Sequence, residues 1–113
     1  MKKRSKRILT FYTEQQVCFD NIQTASFSKS PLKPYLLMQR MKKKGLSCAF
    51  RLQSHFQPLT KADFELAHTE TYVHNVFNGE GNYRSNSLPW SKNLVHSVGY
   101  TNASLYEAKK HAL

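Results

Sequence analysis

Residues 91–113 read SKNLVHSVGYTNASLYEAKKHAL, and the fold turns on how this stretch is interpreted. Ser91 is a good N-cap residue. After it, Leu94, Val98, Thr101, Leu105, Ala108 and Ala112 fall at offsets 0, 4, 7, 11, 14 and 18, the spacing of one face of a helix. The stretch therefore predicts a long amphipathic helix from Ser91 to the last residue. No Gly, Asn or Pro follows to close it, so the expectation is a helix meant to lie against strands that this chain does not supply.

Upstream, Ile8–Tyr12 (ILTFY) is a short β-branched and aromatic run, as in a buried strand. Thr13 to Ser30 is polar and irregular, with Val17, Cys18, Phe19, Ile22 and Phe27 as scattered anchors; a connector this long is expected to pack down or line a site. Ser30-Pro31 and Pro34 mark a helix start, because proline is tolerated only in the first turn. Leu37, Met38 and Met41 give that helix an apolar stripe, Lys42–Lys44 suit the negative end of its dipole, and Gly45 stops it. Leu46–Phe56 reads as a second strand, ended by Gln57-Pro58. Thr60 and Asp63 have capping-box spacing, which predicts a short helix over Thr60–Ala67 with Phe64, Leu66 and Ala67 facing inward. Thr69 caps another helix, with Tyr72, Val73, Val76 and Phe77 as its apolar face and Asn78-Gly79 as its stop. Glu80–Ser87 is a polar loop, and Leu88-Pro89-Trp90 an apolar knot before Ser91; the knot is either a ligand rim or a plain anchor for the helix start.

The order is strand, helix, strand, helix, helix, loop, helix. Each strand is followed by a helical crossover, as in βαβ units of an α/β fold. Two short strands make a thin layer with little to cover the second face of the sheet.

With 113 residues the chain is the size of one domain, and its hydrophobic fraction of 40% lies below the roughly 45–50% of globular domains. No apolar run approaches the ~20 residues of a membrane span. No secretory signal follows the basic start, and Cys18 and Cys48 are spaced neither as a disulfide framework nor as a zinc pair. Both are expected to be small buried residues. The expected compartment is a reducing cytoplasm. The net charge of +10 sits in the first half: residues 1–51 hold twelve Lys/Arg and two acids, Glu14 and Asp20. Its clusters are Lys2, Lys3, Arg4, Lys6, Arg7 and Lys42, Lys43, Lys44. They read either as a face for nucleic acid or another acidic partner, or as a disordered basic tail over residues 1–7 plus a helix C-terminus.

His55, His68, His74, His96 and His111 never pair at i, i+4, and no HExxH, DxH or Cys/His ligand cluster occurs. No pair among Glu14, Asp20, Asp63, Glu65, Glu70, Glu80 and Glu107 is placed for acid–base work. Gly79-Glu80-Gly81 neither follows a strand nor opens a helix, unlike a phosphate loop. No residue is assigned a catalytic, cofactor or metal role. His68 is expected to be partly buried at a helix junction, bonded to backbone.

Leu66-Ala67-His68-Thr69-Glu70-Thr71-Tyr72-Val73 resembles the "HT..Y" segment of the histone deacetylase and acetylpolyamine amidohydrolase superfamily. Phe11-Tyr12 on a first strand, the long loop, the helix Lys33–Lys44, the second strand and Leu59-Thr60 leading to Ala67-His68-Thr69 are similar to that family's opening order. Leu88-Pro89-Trp90-Ser91 and the helix carrying Ser104, Ala108 and Ala112 are like the segment before its catalytic half. The resemblance covers nearly all of the chain after residue 7. It implies a three-layer parallel-sheet fold of the arginase–deacetylase type, of which residues 8–113 are the N-terminal part. It also implies hydrolysis of acetyl-lysine or acetylpolyamine amides, with Zn²⁺ polarising the carbonyl and paired histidines moving protons. The family's His-His pair, its Asp-x-His and later Asp zinc ligands and its transition-state Tyr all lie beyond the matching region. No such residue carries over. The loops Thr13–Ser30 and Glu80–Trp90 would correspond to rim loops, and the family's rim aspartate has no match in the second. The expectation is a truncated segment that is inactive alone, with a separately encoded catalytic half as a partner. A small basic binding module for nucleic acid or an acidic partner is the alternative.

Overall fold

The computed structural model describes residues 6–20, 30–80 and 89–112. They form a small, mostly helical α/β arrangement: β1 (Ile8–Phe11), α1 (Lys33–Lys43), β2 (Phe50–Gln53), α2 (Lys61–Phe64), α3 (Glu70–Asn78) and α4 (Lys92–Ala112). Residues 1–5 of the expected basic tail lie outside the described residues, as do Ile22 and Phe27 and most of the Glu80–Ser87 loop.

The strands pair in parallel, in the register Ile8↔Phe50, Leu9↔Arg51, Thr10↔Leu52 and Phe11↔Gln53. The Tyr12 N–H donates to the Gln53 carbonyl at 3.2 Å and extends the ladder. Side chains alternate along a strand, so Leu9, Phe11, Arg51 and Gln53 share one face. There the Phe11 ring meets His111 of α4 at 5.1 Å and Phe56 at 6.3 Å, and Phe56 meets Tyr100 at 6.2 Å. Ile8, Thr10, Phe50 and Leu52 share the opposite face, where Ile8 is 61% and Leu52 48% exposed.

β2 is shorter than the expected Leu46–Phe56. The end of α1 accounts for this: Gly45 has φ +69, Leu46 donates to the Met41 carbonyl at 2.9 Å and Gly45 to Lys42 at 3.1 Å. That is a Schellman closure, and it curls the chain into a 3-10 turn over Ser47–Ala49 before it can extend. No residue of α1 is buried. Its expected stripe is only partly covered, with Leu37 exposed and Met38 and Met41 half-buried. α2 likewise stops at Phe64, beyond which the chain continues in turns. Leu66 is 89% exposed and Ala67 is also exposed, so neither faces inward as expected.

α4 spans nearly the expected range, but its buried face differs. Leu94, Ser97, Gly99, Ala103 and Ser104 are buried, whereas Thr101, Ala108 and Ala112 are exposed and Leu105 is 70% exposed. Small residues win because neighbours approach the α4 backbone closely. The Leu59 N–H donates to the Gly99 carbonyl at 3.1 Å, and a Cβ at Gly99 would lie 3.4 Å from the Leu59 carbonyl oxygen and from Pro58 Cβ. On another side the 3-10 turn Glu14–Gln16 docks on α4, with Gln15 Oε1 2.9 Å from His96 Nε2 and Cys18 buried against Leu94.

Trp90 joins α3 to α4. Gly79 ends α3 with φ +71, and the indole lies flat on it. A Cβ at Gly79 would meet the Trp90 ring at 2.8 Å, whereas one at Gly45 would meet nothing within 4 Å. Both glycines sit in the left-handed region, which costs a non-glycine residue about 1–2 kcal/mol. Overpacking adds about 1–3 kcal/mol at Gly79 alone. Gly45→Ala is therefore expected to cost about 1–2 kcal/mol and Gly79→Ala about 2–5 kcal/mol, as read from urea midpoints. Equal losses at the two positions would show that Trp90 does not rest on Gly79.

Candidate functional site

Thr60 and Thr69 behave as their sequence positions predict. The Thr60 hydroxyl oxygen accepts from the Asp63 N–H at 3.3 Å, while Asp63 Oδ2 accepts from the Thr60 N–H at 2.7 Å and hydroxyl at 2.9 Å. The Thr69 hydroxyl oxygen accepts from the Tyr72 N–H at 3.3 Å and starts α3. His68 sits between these caps. Its backbone N–H donates to the Phe64 carbonyl at 3.1 Å, and its side chain is exposed rather than partly buried. The imidazole tilts against the Tyr72 ring at 5.4 Å.

Both residues stand at the rim of an apolar cleft of about 220 Å³ between α3 and α4. Its walls are Phe64, Val76, Phe77, Trp90, Val95 and Val98, with Asn102 as a further polar group. The aromatic wall is built by the Phe64 and Phe77 rings, 6.0 Å apart at 60°. Trp90, of the Leu88-Pro89-Trp90-Ser91 knot, adds a third ring to that wall. Leu88 lies outside the described residues, and Trp90 acts as an anchor. Its Nε1–H donates to the Val76 carbonyl at 2.6 Å. That carbonyl lies in the last turn of α3, where main-chain acceptors lack helical partners. Ser91 caps α4 through its hydroxyl, which accepts the Leu94 N–H at 3.0 Å.

The five histidines are dispersed: His68 at the cleft, His96 on Gln15 and Tyr100, His111 on Phe11, and His55 exposed near Phe56. His74 stands in a polar cluster that sequence spacing did not reveal. Its Nδ1 lies 3.3 Å from Lys61 Nζ and 3.1 Å from Asn78 Nδ2, both of them donors, and its Nε2 lies 3.3 Å from Glu80 Oε2. These partners favour the tautomer with the proton on Nε2. Only the Asn78 contact, at i, i+4, was readable from sequence. A second hollow is lined by Glu14, Gln15, Asp20, Asn93 and His96 together with Val17, Cys18 and Phe19, with Asn93 Nδ2 donating to Asp20 Oδ1 at 3.3 Å.

Among the described residues no group of three or more His, Cys, Asp or Glu could hold a metal ion. Those residues do not fit the Zn²⁺ that the deacetylase resemblance implies. Both cysteines are free; Cys18 is buried as expected, but Cys48 is exposed, in the 3-10 turn that replaces the start of the expected strand. Lys6, Arg7 and Lys42–Lys44 are exposed. No helix among the described residues is long and apolar enough to cross a membrane. Compared with protein-family models, characterised proteins and solved structures, the chain matches none.

Two groups have shifted acidities. Burial pushes the Tyr12 phenol up, aided by the charge of Glu14 and by Tyr35. The Asp63 carboxyl is held below the usual carboxylate range, first by the Thr60 backbone N–H and then by its hydroxyl. Folding thus disfavours protonation of Asp63. Its contribution is complete above the ordinary Asp value of about 3.9 and is lost as pH falls through the lowered folded value. Carboxyl-carbon NMR should give Asp63 a midpoint below that ordinary value. Thr60→Val, which keeps the backbone donor, should move it only part of the way back. A normal midpoint in the parent chain would contradict the capping box.

Proposed function

We propose that this chain is a non-catalytic α/β segment that acts by docking: the opening part of a zinc-dependent deacetylase-like hydrolase of three-layer architecture, inert until a catalytic half lies against it. The observation that carries this reading is the open face of the sheet. Parallel strands in compact proteins are covered on both faces, yet Ile8 is 61% and Leu52 48% exposed on one side of this pair. Leu36 and Leu37 of α1 and Leu105 and Tyr106 of α4 are about half exposed or more. Fully burying one such aliphatic side chain contributes about 1.5–3 kcal/mol. Covering a few of them rivals the whole stability of a small domain, about 5–15 kcal/mol. The order of elements and the His68-Thr69 cap at the start of α3 support the deacetylase assignment of the missing half, and the same half would supply the zinc ligands.

A second reading rests on the exposed cations. Lys42, Lys43 and Lys44 take part in no ion pair among the described residues and are all exposed at the end of α1. A salt-dependent shift with duplex DNA or RNA near physiological ionic strength, reduced by Lys42→Ala with Lys43→Ala, would favour a basic binding module instead.

Purified chain supplied with Zn²⁺ is expected to release no acetate from an acetyl-lysine peptide or an acetylpolyamine above blank. In sedimentation it is expected to self-associate. Ile8→Glu with Leu52→Glu should reverse that association without lowering the unfolding midpoint, since neither side chain is buried. Turnover by the isolated chain, or a monomer that folds cooperatively with bound zinc, would refute the docking reading.

A further inference from the structure

We infer that the cleft between α3 and α4 is a preformed binding site for a small monocyclic aromatic molecule bearing one hydrogen-bonding group, of the phenol class. Trp90 is pinned at its Nε1 to the Val76 carbonyl at 2.6 Å and rests on Gly79. Ser91 fixes the start of α4 and Thr69 the start of α3. Those two caps are local to their own helices, and it is Trp90 that ties the last turn of α3 to the start of α4 and sets their spacing at that end of the cleft.

Size narrows the occupant. An apolar cavity of about 150 Å³ accepts benzene, while drug-sized pockets begin near ~300 Å³. A volume of about 220 Å³ suits one ring with a short substituent. Wall chemistry narrows it further. Phe64, Phe77 and Trp90 offer ring faces and edges, and Val76, Val95 and Val98 offer methyl groups. Water inside would find few of the two to four polar partners it needs, so its displacement by a ring is favourable. The polar groups are His68, Tyr72 and Asn102. Asn102 already donates through Nδ2 to the Val98 carbonyl at 2.8 Å. What it has left to offer includes the acceptor Oδ1, which suits a hydroxyl donor. His68 adds a ring nitrogen at the rim.

The chain has a single tryptophan, so the Trp90 indole N–H gives one isolated NMR resonance on the wall of the cleft. Titration of the full chain with p-cresol is expected to shift that resonance saturably, and toluene to do the same. Val98→Phe, which fills the cleft, should abolish both shifts. Asn102→Leu should weaken p-cresol about three- to tenfold, the range for one lost hydrogen bond, and leave toluene unchanged. In the parent chain, p-cresol ring protons should show intermolecular NOEs to the methyls of Val76, Val95 and Val98, a readout that stands even if Val98→Phe does not fold. No saturable shift with either probe, no such NOEs, or an undiminished shift in folded Val98→Phe would overturn the site. Equal behaviour of the two probes toward Asn102→Leu would overturn the phenol assignment.

Discussion

The bond from the Trp90 indole to the Val76 carbonyl is the constraint on which the helical half of the molecule depends. A helix leaves its last carbonyls without helical partners. In α3 the N–H groups of Gly79 and Glu80 both turn to Asn75, which leaves the Val76 oxygen for a side chain. Trp90 reaches it while laying its ring on the backbone of Gly79. Closing one helix thereby sets where the next begins, and the same indole becomes a wall of the cleft between them. Capping, packing and cavity are three consequences of one side chain.

The two ends of the molecule contrast in how they are completed. Around Trp90 the Val76 carbonyl and the Leu94 N–H both find side-chain partners, and Val73 and Leu94 are buried. At the sheet, the strands are four residues each, one face meets α4, and the other presents apolar side chains to solvent. The described buried hydrophobic residues are Cys18, Leu32, Val73, Leu94 and Ala103, and no side chain is completely enclosed. So thin a core leaves the balance between burial and chain entropy close. The open face is where added burial would have the largest effect, and this links the fold to the docking role proposed for it.

Local chemistry made much of this legible. Thr60 with Asp63, Thr69, Ser91, Gly45 and Gly79 start or stop helices through atoms a few residues away, and each does so at its expected position. The capping box of Thr13 and Gln16 has the same spacing, and it starts a 3-10 turn inside a stretch whose composition is polar and irregular. Faces were less legible. Leu66, Cys48 and the stripe through Leu105 followed hydrophobicity and were expected inside, whereas close approach by Pro58-Leu59 and by the Glu14–Gln16 turn selected Ser97, Gly99, Ala103 and Ser104 instead.

By itself the sequence determined which segments are helical, where they are capped, that the strands alternate with helices, and that positive charge gathers in the first half. These depend on neighbours within about one turn of chain or on composition alone. Only the tertiary structure decided in which register the parallel strands pair, that small rather than large residues of α4 are buried, and that Trp90 from one helix start closes another helix's end. It also decided that His68, Tyr72 and Asn102 share a cleft and that His74 gathers Lys61 and Glu80. Such contacts join residues far apart in the chain. Their partners are chosen by which backbones can approach and which polar groups still lack a bond, neither of which a local pattern encodes.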